Sequence, residues 1–152
     1  MRLCSNRLEI HPYLYYPFTE GGITMETFDY TVRTTKTFDG AVSTVEAKTK
    51  EKGFAVLHIH DIKAIFASKG IEHEPLKIIE ICNAKYASQV LAKDIKISLM
   101  LPCRISVYTE EGETLISALR PRVIADFYPQ VDIGAMAQEI DKIILNIVDE
   151  SK

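Results

Sequence analysis

"CRISVYTEEGETLISALRP", residues 103–121, decides the fold. Cys103, Ile105 and Val107 alternate with Arg104, Ser106 and Tyr108, a period of two that predicts a half-buried strand. "TLISALRP" reads as a second strand, and Glu111-Gly112 between the two is a hairpin turn signal. Two strands joined this tightly are antiparallel neighbours. Amphipathic helices accompany them elsewhere in the chain, so the expected class is α+β rather than a parallel α/β layer.

The pattern extends outward from the hairpin. Upstream, "LKIIEIC" (76–82) is a strand, followed by "NAKYASQVLAKD" (83–94), a short helix that Asn83 is suited to cap. "FAVLHIHDI" (54–62) is another strand, and "IKAIFASKG" a helical turn stopped by Gly70. "FDYTVRTT" (28–35) alternates Phe28, Tyr30 and Val32 with Asp29, Thr31 and Arg33 and predicts the first strand. In "TFDGAVSTVEAKTKEKG" (37–53), Thr37 or Asp39 can cap a helix with a Phe38, Val42, Val45 stripe that ends at Gly53. Downstream, Ile133, Met136, Ala137, Ile140, Ile143, Ile144, Ile147 and Val148 form one broad apolar stripe, with Asp132 as the expected cap. Two such helices each need an apolar sheet face. One antiparallel sheet can supply it and leave its other face open.

Composition excludes several roles. The 152 residues are 47% hydrophobic and 26% charged, as in ordinary globular domains. A net charge of −3 leaves no footprint for nucleic acid or an anionic membrane surface. No apolar run approaches the roughly 20 residues that span a bilayer. Arg2, Arg7, Glu9 and His11 interrupt the N-terminus, which makes a poor secretion signal. The expected compartment is the cytoplasm. Cys4, Cys82 and Cys103 are an odd set without regular spacing, so a disulfide framework is not expected.

Residues 1–24 stand apart, with Pro12, Pro17 and a Gly21-Gly22 pair and no clear period. They read as a loose extension to a single α+β domain over 25–152. Two consecutive glycine codons can spell a purine-rich ribosome-binding sequence, here two codons before Met25. Met25 is therefore an expected true start, with a genuine flexible arm as the alternative.

The run from "GFAVL" through "EPLKIIEICNAKYASQVL" to "LPCRISVYTEEGETLISALRP" resembles the domain-of-unknown-function family numbered three hundred and two. The likeness covers roughly Phe28 to Tyr128. Its most specific parts are Cys82-Asn83 before a short helix and Leu101-Pro102-Cys103 leading into the hairpin. The family usually has Pro after the Asn, where this chain has Ala84. Pro is favoured at the first helical position, and Ala is a good helix former, so the cap is expected to survive. The resemblance implies a β-α-β(4)-α domain of the TATA-binding-protein-like fold, with helices on one sheet face. It implies no reaction.

Strand parity sorts the candidate site residues. Ile79 and Ile81 point one way, Glu80 and Cys82 the other. Leu57 and Ile59 oppose His58 and His60. If the more apolar set in each strand faces the helices, the open face carries His58, His60, Glu80, Cys82, Arg104, Ser106 and Tyr108. That set is a polar floor on which a small ligand or anion can rest, with Asn83 at its edge. Parity puts Cys103 on the core face, so a direct thiol pair is not expected. Cys82 lies at a helix N-terminus, where the helix dipole favours a thiolate and lowers its pKa. The alternative reading of Cys82 is a small residue that fits a tight strand-to-helix turn.

His58 and His60 are the metal-ligand candidates, with Cys82 or Glu80 as a third. Zinc or copper would suit them, but the usual ligand spacings are absent and no cofactor is expected. Arg120 and Arg122 can meet a carboxylate or phosphate. The first functional reading is a binding module on the open face near Cys82. The alternative is a homodimer with that face at the interface. A second alternative is a thiol-dependent enzyme using Cys82, with His58 or His60 as base.

Overall fold

A computed structural model describes residues 28–152. The N-terminal extension and the Met25 start lie outside the described residues. β1 (Asp29–Thr34) leads to α1 (Phe38–Glu51), β2 (Ala55–Asp61) and the short α2 (Ile62–Ala67). Then come β3 (Leu76–Cys82), α3 (Ala84–Lys93), a 3-10 turn (Ile95–Met100), β4 (Cys103–Glu110) and β5 (Glu113–Leu119). α4 (Val123–Phe127) and α5 (Gly134–Asp149) come last.

The five strands form one antiparallel sheet in the order β1-β5-β4-β3-β2. The opening hairpin sits where the sequence places it. Glu110 pairs with Glu113, and Glu111 (φ 49°) and Gly112 (φ 81°) carry the turn. Two successive positive φ values are the mirror-image turn that matches the strand twist.

α1 starts at Thr37, whose hydroxyl accepts from the Gly40 N–H at 3.2 Å. Gly53, at φ 77°, ends the turn beyond it. Ala41, Val42 and Val45 of α1 and Ile140, Ile144, Ile147 and Val148 of α5 pack on one sheet face. Their partners are Ile79 and Ile81 of β3, Ile105 and Val107 of β4, and Ile116 and Ala118 of β5. The strict alternation of these residues commits the register, because a slip of one position would turn every one of them to the other face. A second, smaller cluster of Val90, Ile97, Ile124 and Ile133 lies under α3 and α4.

Three details depart from the sequence reading. The β2–β3 pairing slips between Val56 and His58, so Leu57 bulges outward and is 56% exposed. Val56, not Leu57, joins Ile59 against the core. A bulge adds one unpaired residue and resets the parity beyond it. Ile133, not Asp132, is the α5 N-cap, and no side chain caps it. Ile133 is buried in the second cluster, so its packing sets the helix start. The 3-10 turn and α4 are too short to show a period in the sequence.

Candidate functional site

The structure splits the expected site into three places. Cys82 ends β3, and Asn83 caps α3, accepting from Lys85 N–H at 3.1 Å and Tyr86 N–H at 3.3 Å. Asn83 also donates from Nδ2 to the Gly53 carbonyl at 2.9 Å, tying the start of α3 to the turn before β2. Two of the first-turn donors are thus already spoken for by Asn83 itself. Burial pushes the Cys82 thiol up rather than down. Although part of Cys103 remains exposed, burial first and the Cys82 charge second push its thiol up to about 11.

Parity separates the two cysteines, but they line the same cavity, of about 40 Å³, with Phe54, Tyr86 and Val90 among its walls. The cavity lies off the end of β3, where the chain leaves the ladder for α3. Ile81, Cys82 and Asn83, three successive residues, all reach it. Alternation sorts faces only while the strand continues. Cys103 packs against the main core, on the side parity assigns.

His58, His60, Glu80 and Arg104 form the second place, on the open face. His58 lies across from Glu80 on β2, and Arg104 lies across from Glu80 on β4. Glu80 Oε1 is 3.3 Å from His60 Nε2 and 3.7 Å from Arg104 Nε. The two imidazoles stand edge to face with centroids 4.4 Å apart. Cys82 is across from Ala55 instead and does not complete a set with the histidines. Among the described residues, no three His, Cys, Asp or Glu side chains gather as metal ligands. Partly exposed ion pairs of this kind contribute at most about 1 kcal/mol.

Tyr108 marks the third place, toward the far end of β4. With Ser106 and Ser117 it floors a groove of about 1300 Å³. The chain from Lys63 to Glu74 provides one wall and Thr109, Glu110 and Glu111 another. His73, whose ring stands edge-on to Phe66 at 5.2 Å, belongs to the first wall. The rim carries Lys63 against Glu72, Glu74, Glu110 and Glu111.

The groove floor is polarised. Thr31 donates its hydroxyl hydrogen to Asp29 Oδ2 at 2.7 Å. Its oxygen, 2.7 Å from Ser117 Oγ, must then accept from Ser117. Ser117 in turn accepts from Tyr108, 3.1 Å away. Each hydroxyl has one hydrogen, so the chain of donors runs from Tyr108 to Asp29 and leaves the Tyr108 oxygen as an acceptor. Ser117 was findable in the sequence: it opposes Ile116 and Ala118 in the hairpin, as Tyr108 opposes Val107. The wall from Lys63 to Glu74 carries no such signal.

Arg120 is not available to a ligand. It makes a two-pronged bond to Asp141 of α5, with Nε–Oδ1 at 3.2 Å and Nη2–Oδ2 at 2.6 Å.

A family model described as "Domain of unknown function DUF302" matches residues 30–151. The chain belongs to this family. The match runs past Tyr128, the expected limit, and takes in α5. The chain is also similar to the crystal structure of an uncharacterized conserved DUF302 protein from Bacillus stearothermophilus. The two share 27% identity with a TM-score of 0.77, over 82% of this chain and 98% of that one. No curated protein matches the chain. The DUF302 assignment agrees with the α+β architecture built from the hairpin outward. No helix among the described residues is long and apolar enough to cross a membrane.

Proposed function

We propose that this DUF302 domain is a binding module whose open-face groove takes a small neutral or cationic ligand rich in hydrogen-bond donors. The observation that carries the reading is the hydroxyl chain, which ends with Tyr108 as an acceptor over the groove. Four glutamates against one lysine on the rim favour the same class and disfavour an anion. The volume exceeds the roughly 300–1,000 Å³ of a usual small-molecule pocket, so a small molecule fits with room to spare. Native mass spectrometry of freshly purified protein, beside a Ser106→Trp variant that places an indole across the groove floor, tests it. A bound mass in the wild type that is lost in the variant is expected. A bound mass that persists in Ser106→Trp sinks the groove as the site.

One observation favours a second reading, a homodimer across the same face. Leu76, Ile78, Leu115 and Leu119 are half-buried there, opposite the core-facing set in their strands. A second copy would bury them further. The same spectra give the assembly mass. A dimer that Leu119→Lys dissociates supports this reading, and a monomer at micromolar concentration removes it. The thiol-enzyme reading draws less support, since burial raises the Cys82 thiol and, among the described residues, Ala55 rather than a histidine lies across from it.

A further inference from the structure

Cys82 and Cys103 come from neighbouring strands, with Ile81 directly across from Cys103. Both residues line the cavity of about 40 Å³ beyond the end of β3. That is about threefold the minimum of roughly 10–15 Å³ for a water-sized guest. Phe54, Tyr86, Val90 and Ile140 make the surroundings largely hydrocarbon. The donor set is therefore two soft sulfurs with no third ligand gathered beside them among the described residues. Structural zinc takes four ligands, so this pair does not suit it. Thiolates select Cu(I), a closed-shell monovalent ion that two sulfurs can satisfy.

We propose that Cys82 and Cys103 form a two-thiolate site for Cu(I). On loading, two S–H bonds break, two Cu–S bonds form and two protons leave to solvent. No electron is transferred. The complex carries one negative charge. The site is independent of the open-face groove. It also moves the copper ligands from the His58, His60 pair to Cys103.

Withdrawal of Cu(I) from its bicinchoninate complex, under ascorbate without oxygen, tests the site on the full chain. Wild type and Cys4→Ser are expected to take one equivalent and release two protons. Cys82→Ala and Cys103→Ala are each expected to weaken binding on the order of 100-fold, since a lone thiolate is half the donor set. His58→Ala and His60→Ala are expected to match wild type. Wild type that takes no more copper than the Cys82→Ala, Cys103→Ala double variant overturns the proposal. So does a single cysteine variant equal to wild type, or a histidine variant that loses binding. If Cys103→Ala does not fold, X-ray absorption of copper-loaded wild type decides. Two sulfur neighbours support the site, and nitrogen or oxygen neighbours overturn it.

Discussion

Arg120, at the end of β5, holds Asp141 of α5 through two parallel bonds in a setting where the carboxylate side chain is only 6% exposed. A buried pair of this kind is weak evidence of net stabilisation, yet removing one member strands the other charge. Asp141→Ala is therefore expected to lower stability by about 3–5 kcal/mol. The double variant Arg120→Met, Asp141→Leu should recover much of that loss. Chemical denaturation of the three proteins checks both statements. A double variant no more stable than Asp141→Ala would show that the pair does more than neutralise itself.

Asn83 joins two functions in one side chain, capping α3 and holding the Gly53 carbonyl. Loss of a cap costs about 0.5–2 kcal/mol, and the second bond puts Asn83→Ala toward the upper end. Asn83→Asp keeps the cap acceptor and loses the donor to Gly53. Its stability, read from urea midpoints, is expected to fall between wild type and Asn83→Ala. A value equal to Asn83→Ala would mean that the cap contributes nothing.

What the sequence made legible follows from periodicity. The hairpin, the sheet class and α1, α3 and α5 all lie in stretches long enough for a period of two or 3.6 to show. The cap at Asn83 was also readable, because the residue type and the break in pattern coincide. The bulge at Leu57 was not, since one extra residue leaves the composition of β2 unchanged. The candidate site was less legible than the fold. Parity placed His58, His60, Glu80, Arg104 and Tyr108 on the open face, but not at one point on it. It parted Cys82 from Cys103, which the strand end brings to one cavity. Helix-dipole reasoning pointed the Cys82 thiol down, whereas Asn83 occupies two of the donors and burial pushes the thiol up.

The C-terminal end of α5 makes stability sensitive to acid. Lys152 and Tyr30 both bond the Asp149 carboxylate, at 2.8 Å and 2.9 Å, and hold its pKa below the ordinary value, with the Lys152 bond the larger cause. Glu150, bonded by Lys52, is lowered as well. A carboxylate depressed in the folded state binds its proton more readily in the unfolded chain. Its contribution is therefore present above about pH 4 and is lost as pH falls through the lower folded value. Thermal melts between pH 7 and pH 2 should show a loss of Tm below about pH 4. Asp149→Asn should flatten that loss. An unchanged acid slope in Asp149→Asn would remove this carboxylate from the account.

The hairpin turn carries a correctable defect. Glu111 sits at φ 49° and Gly112 at φ 81°, and a glutamate in the left-handed region bears a steric cost that glycine does not. Asparagine tolerates that region better, and Asn-Gly is the preferred pair for this turn. Glu111→Asn is expected to stabilise the protein by several tenths of a kcal/mol, roughly the gain available when a residue suits its backbone. Gly112→Ala, with nothing within 4 Å of the added methyl, isolates the backbone term and should cost about 1–2 kcal/mol. Glu111 also lines the groove, so Glu111→Asn removes one of its four rim carboxylates. Stability by denaturation and ligand retention by native mass spectrometry should therefore move in opposite directions in this one variant. A gain in both would show that the rim charge does not help hold the ligand.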